Sequence, residues 1–361
     1  MANALKVLFL TPWYPSEKDA MSGLFVQKHA EAVRAQGCEV RVIHSEGWRD
    51  LLLAWRDLRR EGWMPDVVQL NVIQKQGLLA LWLKRRYGIP YVIVEHWSGY
   101  LPENGMFRRL NILKKKLYKR IAAEAFAILP VSDRLAEAMQ ECGIENRKWL
   151  RINNVVDDFF FEKSKYRDKD IPNRRKRLLH VSCFDERAKN VKGLLRAAKM
   201  LSERRQDWLL VMVGTGIDYE EIRAYERDLE IPEGLIRWTG ELTPREVADE
   251  MHQADVFVLS SRYETYGVVL AEAAVTGMKI VSTPVGIAEE AGALIVPQEI
   301  AQNKAGKFAE FLETALFEPS AISHQKSAVR SQPSEVRSQY SAEEIGKKLK
   351  EVYDSCLHRD I

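Results

Sequence analysis

The chain has 361 residues, 46% hydrophobic and 29% charged, with 54 Lys and Arg against 51 Asp and Glu for a net charge of +3. This composition excludes a disordered, fibrous or disulfide-held chain, the length points to two domains, and the small net charge gives no overall reason to expect nucleic acid. Four scattered cysteines without a CxxC pair exclude a zinc ribbon and a thioredoxin motif and fit reduced thiols in the cytoplasm. The apolar run after Lys6 is too short for a signal-peptide core, and no stretch approaches the ~18 uncharged apolar residues of a membrane span.

In chain order, short β-branched runs alternate with amphipathic stretches. Strands are predicted over 6–10, 39–43, 66–70, 91–95 and 125–131, and helices over 22–36, 74–87, 106–124 and 132–141. Runs such as Tyr91-Val92-Ile93-Val94 are apolar throughout, as in a parallel strand covered on both faces. The alternation stops in a charged, proline-containing stretch and then resumes. Strands are predicted over 178–183, 208–213, 235–239, 255–259, 279–282 and 293–296, and helices over 191–204, 219–228, 244–252 and 268–276. The segment 320–339 reads as polar loop, and a last helix over 341–357 carries Ile345, Leu349, Val352 and Tyr353 on one face. The fold class expected is α/β, two doubly wound Rossmann-like domains facing an interdomain cleft. The first domain is expected over 1–163, a linker over 164–177, the second domain over 178–335, and the final helix crossing back to the first domain.

The most informative segment is 255–289. A strand ends at Leu259-Ser260-Ser261, a loop over 262–267 opens a helix, and Glu264 and Glu272 stand eight positions apart. That spacing lets two carboxylates meet opposite ends of one ligand, while the amides near Gly267, Val268 and Val269 at a helix start favour an anion such as phosphate. On spacing alone, a solvated loop residue and an exposed helix residue explain the two glutamates more simply. The run S-S-R-Y-E-T-Y-G-V-V-L-A-E-A-A-V-T-G, followed by P-V-G, resembles the E-x7-E signature of the retaining glycosyltransferases of family four, the group 1 glycosyl transferases of GT-B fold. In the same order along the chain, Gly23, the segment Ile152 to Asp157, Lys189-Asn190, Gly214-Thr215-Gly216, Thr239 to Leu242 and the terminal YSAEEIGKKLKEVY resemble further segments of that family.

The resemblance implies roles. Glu272 would hold ribose hydroxyls, Glu264 would contact the transferred sugar, and backbone amides at Tyr266, Gly267 and Val268 would bind sugar hydroxyls and phosphate. Lys189 would neutralise the leaving diphosphate, Leu242 would give backbone contacts to the base, Gly23 and Gly214 would approach the donor, and His96 would face the donor sugar. Each has a plainer reading: His96 as a hydrogen-bonded loop residue, Lys189 as one of several solvated cations, Gly214 and Gly216 as a tight turn. Four departures stand out, one being the short stretch after Gly286, which lacks the second glycine and the usual insert before Gly292. The arginine expected before the lysine is absent from Val181 to Phe184, leaving Arg187 as its substitute; Asn154-Val155 replaces an Asn-Gly; and the N-terminal glycine is single.

The function implied is transfer of a sugar from a nucleoside-diphosphate sugar, a co-substrate, to a polysaccharide or lipid-linked saccharide, with retention and no cofactor. A nucleotide-sugar 2-epimerase and a non-catalytic nucleotide-sugar binder are the alternatives. No metal is expected, because the D-x-D at Asp168 and Asp170 falls in the charged linker. From Lys84 to Arg120 ten basic residues face two acidic ones, and within 108–121 they interleave with Leu110, Leu113, Leu117 and Ile121. The simplest reading packs that apolar stripe on the sheet. The cations still face outward, so a transient contact with the anionic inner membrane face is expected, and RNA is not, because interleaved aromatics are missing.

Overall fold

A run that is apolar on both faces can be buried only in a parallel sheet covered by helices on each side, and both halves of the chain supply such runs. The computed structural model describes residues 4–17, 19, 21–45, 47–162, 174–318 and 338–358. In it the first half folds as β1 (Lys6–Thr11), α1 (Leu24–Ala35), β2 (Glu39–His44), α2 (Trp48–Arg60), β3 (Val67–Asn71), α3 (Gln76–Tyr87), β4 (Tyr91–Glu95), α4 (Met106–Arg109), α5 (Ile112–Glu124), β5 (Ile128–Pro130) and α6 (Asp133–Glu141). The strands form one parallel sheet in the order β2-β1-β3-β4-β5. The order reverses between β1 and β3, so a crevice opens at their carboxyl ends.

The second half runs β6 (Lys176–Val181), α7 (Glu186–Lys189), α8 (Val191–Ser202), β7 (Trp208–Val213), α9 (Tyr219–Asp228), β8 (Ile236–Gly240), α10 (Pro244–Gln253), β9 (Val256–Leu259), α11 (Val268–Thr276), β10 (Lys279–Ser282), β11 (Leu294–Ile295), α12 (Gln298–Asn303) and α13 (Ala305–Phe317). Its sheet is parallel throughout, in the order β11-β10-β9-β6-β7-β8. Here the reversal lies between β6 and β9. Helix α10 starts with a capping box: Thr243 and Glu246 satisfy each other's backbone amides, and Pro244 takes the first helical position, where no N–H is needed. A last helix, α14 (Ala342–Leu357), begins at Ser341, whose side chain accepts from the Glu344 amide.

The chain divides into two compact units, Met1–Val155 with Ser338–Ile361, and Val156–Arg337. Residues 156–162, which composition assigns to the first domain, belong with the second. The reason is packing: the 3-10 turn Asp158–Phe160 buries Phe160 and lies against α10 and α11, with the Arg245 guanidinium over the Phe159 ring. Lys176 and Arg177, expected as linker, begin β6, where the Arg177 amide donates to Asp255 at 2.8 Å. The rest of the expected linker falls largely in 163–173, outside the described residues, as do 319–337.

Three sequence expectations need correction. The single helix over 106–124 is two, because Asn111 takes an extended conformation and its side chain accepts from the Lys114 amide at 2.9 Å, starting α5 afresh. The apolar stripe of α5 does not pack along its whole length: Ile121 is buried, but Leu113 is 79% exposed and Ile112 beside it 70%. Helices α2, α7, α12 and α13 have no counterpart among the predicted elements. The signal for α2 was present in Leu51 and Trp55, four residues apart and both buried.

In the first unit the core is completed from the chain's other end, where Ile345, Leu349, Tyr353 and Cys356 of α14 join Val26, Ala30 and Val33 of α1. Gly346 makes this approach possible, since a Cβ there would lie 2.4 Å from the Ala32 carbonyl oxygen. Gly346→Ala is expected to destabilise the first unit by about 1–3 kcal/mol through forced separation of α1 and α14. A urea-unfolding midpoint equal to that of the wild type would refute this packing.

Candidate active site

Where the second sheet reverses order, the strand ends must line the crevice with backbone, and glycines let them come close. A Cβ on Gly214, after β7, would lie 2.0 Å from the Ser182 carbonyl oxygen, and one on Gly216 would lie 2.5 Å from the Phe184 amide. The Phe184 amide donates to the Thr215 carbonyl at 2.8 Å and the Asp218 amide to the Phe184 carbonyl at 3.0 Å. Gly214 and Gly216 therefore serve the docking of the β7 loop on the β6 loop. Below them His180 Nδ1 donates to the Val258 carbonyl at 2.9 Å, which leaves Nε2 to accept from Ser182 Oγ at 2.8 Å, locking β6 to β9. Burial holds this imidazole neutral, at a pKa of about 4, against the opposing pull of the Val258 bond.

Short helix α7 follows β6 and delivers Lys189. The next residue, Asn190, is left-handed at φ 50°, a conformation Asn tolerates, and it stands where the resembling family has glycine. Its side chain is held by the Ala301 carbonyl at 3.1 Å and by Arg262, at 2.9 Å. Arg262 also pairs with Glu186 at 3.2 Å, and its amide donates to the Ala188 carbonyl at 2.7 Å. The β9 loop thus grips α7 along its length. Ser260 Oγ donates to the Lys189 carbonyl at 2.9 Å, while Gln298 and Thr283 donate to the Ser261 carbonyl at 2.8 and 2.6 Å.

This clamp brings the two candidate catalytic residues of the unit together. Lys189 Nζ donates to Glu264 Oε1 at 2.6 Å, and Ser261 Oγ donates to the same oxygen at 2.8 Å; both charged side chains are about 15% exposed. Burial works to lower the lysine pKa, but the Glu264 carboxylate, with smaller help from Cys183 and Asp185, outweighs it and the net shift is upward. Lys189 is a fixed cation rather than a solvated one.

The pair adjoins the start of α11. Gly267, at φ 77°, begins that helix, and a Cβ on it would lie 3.7 Å from Glu264 Cγ. The helix has no side-chain cap and no acidic residue in its first turn, so the N–H groups around Gly267 and Val268 and the positive end of the dipole lack an internal carboxylate. Tyr266 is buried and its backbone closely covered: a Cβ on Gly286 would lie 2.1 Å from its carbonyl oxygen, which accepts from the Ile287 amide at 3.0 Å. Glu272 lies on the buried side of α11, Arg187 is exposed on α7, and Leu242 is half-buried in the loop after β8.

The other two site residues lie in the first unit. Gly23, at φ 65°, starts α1 against the loop after β1, and a Cβ there would lie 2.3 Å from the Trp13 carbonyl carbon. Helix α1 then places Phe25 4.3 Å from the His96 ring and His29 5.8 Å from it, centroid to centroid. His29 Nε2 donates to the Asn153 carbonyl at 3.0 Å. Burial pushes His29 down to about 4 and, together with His29 itself, pushes His96 well below the ordinary histidine value. His96 is therefore neutral, and its buried Nε2 has no hydrogen-bond partner.

Sequence reasoning missed Arg262, Ser261 and Gln298. Ser261 acts through Glu264, Gln298 through backbone carbonyls, and Arg262 through the Glu186 carboxylate, the Asn190 side chain and backbone carbonyls, none of which leaves a residue pattern to read. It also raised a concern over Val155 in place of glycine. That concern dissolves, because the non-glycine residues with positive φ among those described are Val72, Asn190 and Glu230.

Residues 175–314 match the family described as Glycosyl transferases group 1, and residues 7–154 match the Glycosyl transferase 4-like domain. An alpha-monoglucosyldiacylglycerol synthase of Streptococcus pneumoniae is 22% identical over 253 residues, covering 65% of this chain and 56% of that protein, so the match spans about half of this relative's length. Two solved structures share the fold. Sucrose-phosphate synthase from Thermosynechococcus elongatus is 17% identical with a TM-score of 0.73, covering 97% of this chain and 98% of that one. The Anabaena protein HepE, in complex with UDP and glucose, is 16% identical with a TM-score of 0.69, covering 98% and 100%.

Removing one member of a buried ion pair leaves the other charge unpaired at a cost of about 3–5 kcal/mol, whereas removing both costs much less. Lys189→Met and Glu264→Gln are each expected to destabilise the protein in urea by more than the double variant does. Additive single effects would mean that the pair does not form in solution.

Proposed function

Because the chain belongs to the group 1 glycosyltransferases, we propose that it moves a sugar from a nucleoside-diphosphate sugar to a saccharide or lipid-linked saccharide acceptor, with retention of anomeric configuration and without a metal ion. The observation that carries this reading is the buried Lys189–Glu264 pair set against the uncapped start of α11. Breaking the bond between an anomeric carbon and a phosphate oxygen builds negative charge on the departing diphosphate. An ammonium held protonated in place, beside amides already pointing at an anion site, stabilises that charge without reorganising at the moment of reaction.

Roles follow from the chemistry of each group. Lys189 and the α11 amides take the diphosphate, and Arg187 on α7 adds an exposed cation. Glu264 holds Lys189 protonated and oriented while its remaining lone pairs face the sugar. Glu272 takes the ribose hydroxyls, and the backbone at Leu242 the base. In the first unit neutral His96 offers a ring nitrogen to a sugar hydroxyl. With the diphosphate charge met by these groups no divalent ion is required, and the leaving phosphate oxygen is the base that receives the acceptor proton.

The acceptor side of this reading is membrane-associated. At the start of α5, Ile112 and Leu113 project into solvent at 70% and 79% exposure, with Met106 of α4 at 46%. Arg108, Arg109, Lys114 and Lys116 around them are exposed. No helix among the described residues is long and apolar enough to cross a membrane. A protruding apolar pair ringed by cations suits shallow insertion into an anionic leaflet, each nearby cation contributing about 1 kcal/mol. The protein then works on the cytoplasmic face as a peripheral enzyme.

Three measurements test the proposal. Calorimetry against UDP and GDP sugars should find one donor that binds, with Glu272→Ala weakening it about 10- to 100-fold through loss of hydrogen bonds to a carboxylate. Turnover of that donor should survive EDTA and release a product of unchanged anomeric configuration; loss of activity restored by manganese refutes metal independence. The protein should also sediment with anionic vesicles and much less with neutral ones, and Ile112→Ser with Leu113→Ser should abolish the difference. Equal recovery on both vesicles overturns the membrane arm.

A further inference from the structure

The end of β4 carries a carboxyl group that the proposed reaction does not use. Glu95 has no solvent exposure, and its partners are backbone amides from two strand ends. Oε2 accepts from the Ile73 amide at 3.0 Å, and Oε1 accepts from the His96 and Trp97 amides at 3.0 and 2.9 Å. Ile73 follows Val72, a β-branched residue held at φ 68° with its amide on the Val94 carbonyl at 2.9 Å. Such a residue is strained in the left-handed region and persists there only when its surroundings impose it. One carboxylate therefore ties a strained turn after β3 to the turn that presents His96.

The ionised carboxylate meets all three donors without an O–H of its own among them. A protonated carboxyl places an O–H among N–H groups and gives up at least one acceptor position. The titratable groups facing Glu95 are Tyr100 on the turn after β4 and Tyr118 on α5, with His96 on its own loop and His29 of α1 behind it. Burial pushes both tyrosines up and both histidines down, so all four are neutral near pH 7. Burial also drives Glu95 up to about 7, the three amides pulling the other way. Glu95 thus changes charge near neutrality while the groups around it do not.

The sign of this shift is adverse to folding. A carboxyl whose pKa is raised on folding supports the native state below its unfolded value of about 4.5, and that support is lost as the pH rises through 7. The fold gains least from Glu95 in the very state that holds the two turns together. A residue kept under those terms serves the site rather than stability.

We propose that Glu95 is a positioning residue for His96, and that its ionised carboxylate holds the His96–Trp97 turn in the geometry that meets the donor sugar. The role assigned to His96 rests on the glycosyltransferase reading, whereas the three-amide clamp does not, and two measurements separate them. In the wild type, hydrogen exchange corrected for intrinsic rates should show the amides of Ile73, His96 and Trp97 losing protection as the pH falls from 8.5 to 5.5, while those of Val92 and Val94 keep theirs. Protection that is flat across this range overturns the clamp, whatever the enzyme's activity. With the donor found by calorimetry, kcat/KM should fall on the acid side of about pH 7 in the wild type. Glu95→Gln should abolish that limb and lower kcat about tenfold at pH 8, with donor Kd little changed. A limb that persists in Glu95→Gln, or a variant as fast as the wild type, overturns the positioning role. Exchange that behaves as expected in a protein that transfers no sugar would leave the clamp standing and sink the functional reading instead.

Discussion

An ammonium group cannot be buried alone. Lys189 ends α7, the short helix beyond the carboxyl end of β6, with its side chain mostly out of water, and Glu264 is what makes that position tenable. Much of the local architecture follows from bringing these two groups together across 75 residues of chain. Arg262 and Asn190 hold α7 to the β9 loop, Ser260 fixes the lysine carbonyl, and Ser261 shares the glutamate oxygen. The topology supplies the place, because β6 and β9 are neighbours whose connections leave in opposite directions.

Both units use glycine in the same way at their crevices. Gly23 lies on the backbone after β1, Gly214 on the backbone after β6, and Gly286 on Tyr266, each too close for a side chain. In every case one loop is pressed on another, so backbone amides are presented to the crevice without side chains between. These glycines also have positive φ, so steric and conformational demands coincide there; at Asn190 the demand is for a left-handed residue after Lys189, and asparagine supplies it.

The parallel strands were legible because a buried parallel strand has almost no polar residue to confuse its pattern; Trp208–Val213 and the helix Val268–Thr276 are predicted to the residue. The segment 106–124 was not, since its helical spacing runs unbroken through Leu110 and Asn111, whose extended backbone divides it. The exposure of Leu113 was hidden for a related reason. Periodicity tells which residues share a face, but not where along the helix the neighbouring element stops covering it. The resemblance to the group 1 family marked Glu264, Lys189 and His96 as candidates, yet no spacing announces that the first two would be bonded, or that Glu95 beside His96 would close on three amides.

The return of α14 to the first unit makes the second unit an insertion between two parts of one core. A ribosome releases the chain from its amino end, so the second unit can close its own sheet as soon as α13 has emerged. The first unit cannot, for the face of α1 that Ile345, Leu349 and Tyr353 cover stays open until α14 is made. The half of the molecule translated first is thus the half that matures last, and its uncovered face is what a chaperone would meet in the interval.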